Sequence, residues 1–375
     1  MGADRVALAH DYATQRGGAE RVALAMAEGF PGAPMHTSLY DPEGTFPEFG
    51  AMDLRTTRLD RFGVVRRHHR LALPFLASAV SATPPIDSEV LLASSTGWAH
   101  GFRSTGRKVV YCHAPARWLY QSDRYLGSER TRKGVRGWVA ARSLEMLSPS
   151  LRAWDRRAAL SADRYLANSS VTARSVREVY GIDAEVLPPP PALLPDGPAE
   201  PAPGIEAGFL LCVARLLPYK NVDVVLRAAQ RLGGVRLVVV GDGPDRGRLE
   251  GLARATPGAR LLGRVTDAEL RWLYQSCSAL VAASFEDYGL CPLEAAAFGR
   301  PAVVLRDGGY LDTVVEQVTG EFFDAPEPDQ VARAVERALR RPWSAGALRD
   351  HADAFAAPRF VARLRAVVEE ELCQL

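Results

Sequence analysis

Short, almost continuous apolar runs alternate with amphipathic segments in the back half of the chain. The amphipathic residues 222–232 and the segment DAELRWLYQSC predict helices between buried strands, which are FLLCVA, RLVVVGDG, ARLLG, SALVAAS and PAVVL. Strands that are apolar on both faces are typical of a parallel sheet covered by helices on both sides. The back half therefore predicts an α/β domain with a doubly wound parallel sheet.

The front half repeats this pattern less regularly. Helices are predicted for residues 19–28 and for about 133–160, and strands for RVALAH, EVLLASS, KVVYCH and RYLANS. A second Rossmann-like domain is therefore expected ahead of the first. We expect the two domains to face each other across a cleft.

A proline-rich segment, PPPPALLPDGPAEPAPG, separates the two halves. Its proline density excludes a helix or a central strand and favours a stiff, extended linker that could act as a hinge. The predicted organisation is an N-terminal domain at 1–190, a linker at 191–207 and a C-terminal domain at 208–357. A last amphipathic helix at 358–375 could pack back on the N-terminal domain.

Composition narrows the class of protein. The chain is 47% hydrophobic and 24% charged, as expected of a globular protein, and has no apolar run of the ~20 residues that span a bilayer. We find no signal-peptide pattern at the N-terminus and expect a cytoplasmic protein. Its five cysteines form no Cys-x-x-Cys, which predicts reduced thiols and neither a disulfide framework nor a zinc site.

The net charge of +2 gives no electrostatic reason to expect nucleic acid binding, but it is unevenly distributed. Up to Pro198 there are 25 Lys and Arg against 20 Asp and Glu, a balance of +5, and the remainder has 21 against 24. Arg55–Pro74 alone carries six arginines and two histidines against one aspartate. A solvated helix face is the default interpretation. The alternative is a peripheral contact with anionic lipid near a lipid-linked acceptor, at the inner face of a membrane.

Two glutamates bracket the turn in SFEDYGLCPLEAAAFGRP. Glu286 is expected at the carboxyl end of a strand and Glu294 in the first turn of the next helix, where an acid also favours the helix dipole. The backbone N–H groups of Gly289 and Leu290 would then form an anion site of the kind that binds phosphate. Sugar and ribose hydroxyls are neutral partners that could use both carboxylates beside such a site. The dipole alone would be enough to explain Glu294, but it would not explain Glu286 or the Tyr-Gly pair between the two glutamates.

Two cations follow the first strand of the back half, in VARLLPYKN. Arg215 and Lys220 would project from this strand end, and Lys220 is the only lysine of its half. A guanidinium fork and an ammonium suit a diphosphate that gains negative charge as it departs. A solvated loop with two ordinary surface cations is the alternative.

The front half offers two weaker signals. In QRGGAERV, Gly17 and Gly18 open a helix after the first strand, so the backbone could approach a phosphate or a sugar there. In KVVYCHAPARW, His113 ends a buried strand. Taken singly, a Gly-Gly pair is usually a turn and a histidine after a strand is usually structural.

Several other motifs are missing or incomplete. GDGP lacks the third glycine of a dinucleotide fingerprint and predicts a turn. The chain has no Walker loop, no His-Glu-x-x-His and no Gly-x-Ser-x-Gly. It also has no Asp-x-Asp, so we expect no metal and no other cofactor.

Together these clusters resemble the retaining nucleotide-sugar glycosyltransferases of family 4, which have the GT-B fold. The resemblance is strongest from Phe209 to Phe323, on Arg215-x4-Lys220, LLGRVTDAEL, the Glu-x7-Glu of FEDYGLCPLE and FGRPAVVLRDGGYLDTVVEQVTGEFF. HDYATQRGGAERV and YCHAPARWLY resemble a subgroup of bacterial mannosyltransferases that assemble polysaccharides.

The resemblance implies a role for each site residue. Glu286 would contact the transferred sugar, Glu294 the ribose, and Arg215 with Lys220 the diphosphate. The base would pass along three residues, and the front half would add a pair of glycines and a histidine at the sugar. These contacts are Gly263, Arg264 and Val265 for the base, Gly17 and Gly18 for the donor, and His113 for the sugar. Tyr288, Gly289 and Leu290 would also contact the donor.

The function implied is a metal-independent, retaining transfer of a hexose, with GDP-mannose favoured as donor, to a hydroxyl of a glycan or glycolipid. One alternative is a tailoring enzyme that uses a UDP- or dTDP-sugar on an antibiotic or other small molecule. Another is a sugar-nucleotide-binding protein without turnover. The combination of Arg-x4-Lys with Glu-x7-Glu argues against a UDP-sugar epimerase of the same fold.

Overall fold

The computed structural model describes residues 5–67, 73–120 and 135–375. The chain divides into two compact units. The first comprises Met1–Pro189 with Ala357–Leu375, and the second comprises Pro190–Ala356. Each unit is built on one parallel sheet with apolar strands.

The first unit contains a seven-stranded sheet in the order β3-β2-β1-β4-β5-β6-β7, and every paired strand is parallel to its neighbour. Strand order reverses between β1 and β4, so these two strands flank the topological switch point. The strands are β1 Val6–His10, β2 Met35–Thr37, β3 Leu54–Thr56, β4 Val90–Ser95, β5 Arg107–Cys112, β6 Arg164–Ala167 and β7 Glu185–Val186.

Helices cover both faces of this sheet, because alternate residues of β1, β4 and β5 enter two separate apolar clusters. Short 3-10 helices are Pro47–Ala51, Arg58–Arg61 and Ala99–Gly101. The α-helices are Gly18–Gly29, Gly63–Arg67, Leu73–Ser81, Arg117–Tyr120, Val135–Leu160, Ser170–Tyr180 and Ala357–Leu372.

The last helix, Ala357–Leu372, belongs to the first unit. Phe360 and Leu364 are buried in the cluster formed with β4 and β5. The Arg365 guanidinium donates from Nε to the carbonyl oxygen of Gly29 at 2.7 Å, at the end of the helix Gly18–Gly29. This helix therefore covers one face of the first sheet beside Gly18–Gly29.

The second unit contains a six-stranded parallel sheet in the order β10-β9-β8-β11-β12-β13. Strand order reverses between β8 and β11. The strands are β8 Phe209–Val213, β9 Leu237–Val240, β10 Ala259–Gly263, β11 Cys277–Ala282, β12 Ala302–Leu305 and β13 Gly320–Phe323. The helices are Val222–Leu232, Arg246–Arg254, Asp267–Ser276, Leu290–Ala297, Tyr310–Thr313, Pro328–Arg340 and Ala345–Asp353, with a 3-10 turn at Pro218–Lys220.

The proline-rich segment packs against the second unit. Leu193 and Ala202 are buried in that unit's apolar core. The N–H of Glu200 donates to the carbonyl oxygen of Ala268 at 3.1 Å, and Arg271 donates to that of Leu194 at 3.1 Å. Side chains and backbone of this stretch are therefore part of the folded second unit.

Three sequence predictions need correction or limits. The helix after Glu286 begins at Leu290, so Glu294 is its fifth residue and does not lie in its first turn. The short strands β2, β3, β7 and β13 were not predicted. The first three have only two or three residues, too few for a periodicity to emerge, and β13 begins with Gly and Glu. Of the helix predicted for 133–160, residues 133 and 134 lie outside the described part of the chain. No helix in the described ranges is long and apolar enough to cross a membrane.

Candidate active site

Two loops leave the switch point of the second sheet. One follows β8 and runs to Asn221, and the other follows β11 and runs to Gly289. Because β8 and β11 are hydrogen-bonded neighbours in parallel, their carboxyl ends lie side by side. Ligands of open parallel sheets bind at this edge.

An ion pair connects the two loops. The Lys220 ammonium, from Nζ, contacts Glu286 Oε1. The Ser284 hydroxyl donates to the same carboxylate oxygen at 2.6 Å. The side chains of Lys220 and Glu286 are 13% and 22% exposed, so the pair is mostly buried but still in contact with solvent. The structure thus brings together two residues that the sequence assigned to different parts of a donor.

Asn221 and a glycine turn fix the Lys220 loop. Asn221 lies in the left-handed region at φ 52°, and its Nδ2 donates to the carbonyl oxygen of Ala283 at 2.8 Å, in the facing loop. The GDGP turn after β9 packs directly on the same loop. A Cβ on Gly243 would lie 2.3 Å from the carbonyl oxygen of Leu216. The glycines of GDGP therefore permit close backbone packing, in agreement with the turn that the sequence predicts.

Arg215 has a different environment from Lys220. It follows β8 by two residues and is exposed. Among the described residues, no carboxylate forms an ion pair with it. Its guanidinium is therefore accessible to an anion from solvent.

Gly289 starts the helix Leu290–Ala297 in a conformation that needs glycine. Its φ is 84°, and a Cβ there would lie 2.5 Å from the ring of Tyr310. The first N–H groups of a helix have no acceptor within it, and they carry the positive end of the helix dipole. The left-handed backbone and the close approach to Tyr310 both require a glycine directly before this helix. Tyr288, just before it, is buried.

The Gly-Gly-Tyr segment at 308–310 packs against the loop that carries Glu286. The N–H of Gly309 donates to the carbonyl oxygen of Glu286 at 2.8 Å. A Cβ on Gly308 would lie 2.3 Å from that same oxygen. Burial, together with the nearby Glu286, raises the pKa of the Tyr310 phenol well above its ordinary value. Tyr310 is therefore uncharged at physiological pH where it lies beside this loop.

Glu294 is more enclosed than the sequence suggested. It is 7% exposed, and its Oε2 accepts a hydrogen bond from the buried Tyr274 hydroxyl at 2.7 Å. Burial raises the pKa of the Tyr274 phenol well above its ordinary value, so Tyr274 acts as a donor throughout the physiological range. Burial and the carboxylates of Glu294 and Glu286 also raise the pKa of the Cys291 thiol, which excludes a thiolate there at neutral pH.

The segment predicted to pass the base begins at the last residue of β10. Gly263 lies at φ 77°, and a Cβ there would be 2.8 Å from Arg246 Nη1. The Arg264 side chain is 88% exposed and its Nε lies 3.9 Å from Asp242 Oδ2. Val265 packs against the unit's apolar core. In the sheet, β10 is separated from β8 by β9 alone.

His113 follows β5 in the first unit and is 7% exposed. Its Nε2 lies 2.9 Å from the Ser94 hydroxyl, which lies 3.0 Å from His10 Nδ1. Burial lowers the pKa of His113 to about 3, with smaller contributions from His10 and Arg117. His113 is therefore neutral at physiological pH.

Gly17 and Gly18 lie at the start of the helix Gly18–Gly29. Gly17 has an extended backbone, at φ −142°, and Gly18 is exposed. A Cβ on Gly17 would come within 2.6 Å of Glu20 Oε2, the far end of a flexible side chain. The two glycines thus keep side-chain bulk away from this helix N-terminus.

Two family models match consecutive parts of the chain. The model described as Glycosyltransferase Family 4 matches residues 16–193, and the model described as Glycosyl transferases group 1 matches residues 201–355. A curated relative, the D-inositol 3-phosphate glycosyltransferase of Mycolicibacterium paratuberculosis, is 32% identical over 223 residues, which are 53% of this chain and 49% of that protein. The chain thus spans about half the length of the curated relatives that it matches.

Solved structures match over the whole chain. Anabaena HepE in complex with UDP-glucose aligns with a TM-score of 0.68 at 18% identity, covering 99% of this chain and 100% of that one. The apo form of the lipopolysaccharide outer core galactosyltransferase WaaB aligns with a TM-score of 0.65 at 15% identity, covering 98% and 99%. The two family models show that the chain belongs to the family 4 glycosyltransferases, and the solved structures show that it has the GT-B fold. The family and the fold class that the sequence predicted are both confirmed.

Several residues around the candidate site were missed by sequence reasoning. Ser284 could have been found, because it stands two residues before Glu286 in the same loop. The others become neighbours only through strand order or helix packing, which no local pattern shows. They are Asn221, Tyr274 and Tyr310 in the second unit, and His10 and Ser94 in the first.

Proposed function

We propose that this protein transfers a hexose from a nucleotide-sugar donor to an acceptor hydroxyl, with retention of anomeric configuration. The observation that carries the proposal is the Lys220–Glu286 pair at the switch point, beside the exposed Arg215 and the helix that begins at Leu290. Two cations and a helix N-terminus suit a diphosphate, and a carboxylate suits sugar hydroxyls.

The charges of this site favour a departing diphosphate. Lys220 and Arg215 would bind the phosphates, assisted by the N–H groups near Gly289 and Leu290. As the glycosidic bond breaks, negative charge on the diphosphate increases, and fixed cations stabilise it at no cost of reorganisation. Glu286 would accept hydrogen bonds from the sugar, with its carboxylate oriented by Ser284 and Lys220.

The remaining roles follow the family resemblance. Glu294 would contact the ribose, and its bond to Tyr274 would orient the carboxylate. The base would pass along Gly263, Arg264 and Val265, and Tyr288 would contact the donor beside Gly289. In the first unit, Gly17 and Gly18 would contact the donor through their backbone, and His113 would contact a hydroxyl of the sugar.

The proposal also concerns the identities of the donor and the acceptor. The front-half motifs favour GDP-mannose, whereas a protein of the same fold binds UDP-glucose. The curated relatives take their name from D-inositol 3-phosphate, a compound rich in hydroxyls. An acceptor panel should therefore contain inositol phosphates, lipid-linked sugars and a small-molecule aglycone.

The test measures release of nucleoside diphosphate from GDP-mannose, UDP-glucose and dTDP-glucose with each acceptor. We expect one donor to be turned over, and the product anomer to match that of the donor by NMR. Saturable donor binding without turnover in any combination would favour a sugar-nucleotide-binding protein. Absence of both binding and turnover would contradict the proposal.

We further propose that turnover requires no metal. Two cations and the helix N-terminus can compensate the negative charge of the leaving group without a metal. Activity after exhaustive treatment with EDTA should equal that of the untreated protein. A loss that added Mg²⁺ or Mn²⁺ restores would overturn this part.

We also propose a peripheral membrane contact on the first unit, which would bring the protein to a lipid-linked acceptor. Phe62, Val64 and Phe75 are exposed by 62%, 65% and 61%. They lie in or beside the segments that carry Arg58 and Arg61, both of which are exposed. Apolar side chains beside cations suit the surface of an anionic bilayer.

The charges near this patch are consistent with an anionic partner. Asp60 is the one carboxylate of Arg55–Pro74, and its Oδ1 accepts from the N–H of Tyr40 at 2.8 Å. Arg55 is paired with Asp53 at 2.7 Å. Residues 68–72 of the predicted basic stretch lie outside the described part of the chain.

Vesicle flotation tests the contact. The protein should float with vesicles that contain anionic lipid at low salt, and should not float with zwitterionic vesicles. Phe62→Ser with Val64→Ser should reduce flotation, whereas Leu339→Ser, at an exposed apolar residue of the second unit, should leave it unchanged. No binding of the unmodified protein to anionic vesicles at low salt would remove the proposal.

A further inference from the structure

Three polar side chains lie at the ends of three neighbouring strands of the first sheet. His10 ends β1, Ser94 is in β4, and His113 follows β5 directly. The register pairs His10 with Ser94, and β5 adjoins β4. Alternate residues of a strand share a face, and these three follow the residues that enter the cluster with the helix Ala357–Leu372. The fold therefore places one hydroxyl between two imidazoles.

The tautomers of His10 and His113 depend on each other, because both rings contact the same hydroxyl. Both imidazoles are neutral near pH 7, because burial lowers the pKa of His10 and lowers that of His113 to about 3. Ser94 has one hydrogen to donate, and it contacts His10 Nδ1 at 3.0 Å and His113 Nε2 at 2.9 Å. If Ser94 donates to one ring, the other ring must donate to Ser94. Both rings then carry their proton on Nδ1, or both carry it on Nε2.

The surroundings of His10 favour the first arrangement. Its Nε2 is buried and has no hydrogen-bond partner among the described residues. A proton on Nε2 would be a buried N–H without an acceptor, which is rare in folded proteins. A proton on Nδ1 donates to Ser94 instead. Ser94 then donates to His113 Nε2, which leaves the His113 proton on Nδ1.

The backbone of His113 is fixed as well. Its carbonyl oxygen accepts from Asn168 Nδ2 at 3.0 Å and from the Thr172 hydroxyl at 3.2 Å. Its N–H donates to the carbonyl oxygen of Ser95 at 2.9 Å. With Nε2 bonded to Ser94, ring orientation and tautomer are both determined by neighbouring groups.

We propose that His10 and Ser94 are positioning residues that hold His113 as the Nδ1–H tautomer, so that it presents a neutral hydrogen-bond donor to an oxygen of the transferred sugar. The sugar contact rests on the proposed function, whereas the tautomer does not. A neutral donor adds no positive charge beside the sugar while the bond to the diphosphate breaks.

Imidazole nitrogen NMR of the ligand-free protein tests the tautomer directly. With ¹⁵N-labelled histidine, the signals of His113 are assigned by their loss in His113→Gln. We expect a protonated Nδ1 and a bare Nε2 in His113, and the same pattern in His10. A protonated Nε2 in His113 would overturn the proposal, whether or not the protein transfers sugar.

Variants then test the positioning role in the transfer assay. Ser94→Ala should lower the rate at saturating donor roughly ten-fold, which is about the value of one hydrogen bond, and should leave the donor KM nearly unchanged. His10→Asn should retain most of the rate, because its amide can donate where Nδ1–H stood, and His10→Leu should not. The matched control is Ser88→Ala, since Ser88 is buried with no partner for its hydroxyl among the described residues. An unchanged rate in Ser94→Ala, or equal rates in the two His10 variants, would contradict the role of the bridge.

Discussion

The strand ends of the two sheets carry opposite kinds of polar chemistry. In the second unit, the loops after β8 and β11 present an ion pair, Lys220 with Glu286, that is partly open to solvent. In the first unit, the ends of β1, β4 and β5 present His10, Ser94 and His113, which are almost completely buried. Both sets lie at or next to a topological switch point.

The difference in exposure determines what kind of contact each set of residues can make. Charges at the partly open edge can bind a diphosphate, because its negative charge is compensated by fixed cations. Buried imidazoles are held neutral by desolvation and can only donate or accept hydrogen bonds. A nucleotide sugar carries both kinds of group, a charged diphosphate and neutral hydroxyls.

The largest expected effect concerns the charged edge. Lys220→Ala should lower transfer by about two orders of magnitude or more, because one preorganised charge contact to the leaving group is lost. Initial rates at saturating acceptor measure it. Arg231→Ala is the control, since Arg231 forms an exposed ion pair with Asp329 that contributes little. A rate near that of the unmodified protein in Lys220→Ala would refute the assignment of the diphosphate site.

The turn at Gly289 should be the most sensitive backbone position of this edge. Gly289→Ala introduces a Cβ at φ 84° within 2.5 Å of the Tyr310 ring, and should lower the free energy of unfolding by about 3 kcal/mol. Chemical denaturation measures the change. Gly251→Ala has nothing within 4 Å of its new Cβ, lies within a helix, and should stabilise by about 0.5–1 kcal/mol. Equal changes in the free energy of unfolding for Gly289→Ala and Gly251→Ala would show that a side chain at position 289 causes no strain.

Acid should weaken the first unit selectively. Burial lowers the pKa of His113 to about 3 and, with the nearby Arg55, that of His36 to about 4. Between these values and the ordinary 6.5, only the unfolded chain takes up the protons, so stability falls as pH decreases below 6.5. Each group contributes up to about 1.4 kcal/mol per pH unit.

Hydrogen exchange by mass spectrometry can locate this loss. Peptides of β1, β4 and β5 should lose protection between pH 6.5 and 5 before peptides of β8 and β11 do, after correction for intrinsic exchange rates. His36→Phe should flatten the pH dependence of the first unit. Loss of protection that begins in the second unit would contradict the contrast between the two sheets.

The smallest expected effect concerns Glu294. Tyr274→Phe removes the donor of a buried 2.7 Å hydrogen bond and should lower the free energy of unfolding by about 1–2 kcal/mol. Donor KM should rise, because the carboxylate proposed for the ribose loses one orienting contact. Tyr219→Phe offers a control at a more exposed tyrosine in the same unit. If neither the free energy of unfolding nor the donor KM changed in Tyr274→Phe, the assignment of Glu294 to the donor would be contradicted.

Much of the second unit could be predicted from sequence. Its strands are apolar on both faces, and its loops carry Arg215, Lys220 and Glu286 at strand ends, where a parallel sheet collects its ligand-binding groups. The need for glycine directly before the helix Leu290–Ala297 could not be predicted, because it arises from the packing of Gly289 against Tyr310 of another helix. The burial of Glu294 against Tyr274 depends on helix packing in the same way.

The first unit was harder for a physical reason. His10, Ser94 and His113 are separated by 84 and 19 positions, and they meet only because β4 is inserted between β1 and β5. Each residue alone has an ordinary structural interpretation. Their alternation with the apolar residues of each strand does fix which face they occupy, and that part is visible in RVALAH, EVLLASS and KVVYCH.

A crystal structure with a bound nucleotide sugar tests the central assignment most directly. The diphosphate should lie within hydrogen-bonding distance of Lys220 Nζ and the Arg215 guanidinium, at the N-terminus of the helix Leu290–Ala297, with the sugar against Glu286. A donor bound at the carboxyl ends of other strands, or a diphosphate whose only partners are water and residues away from this edge, would contradict the account.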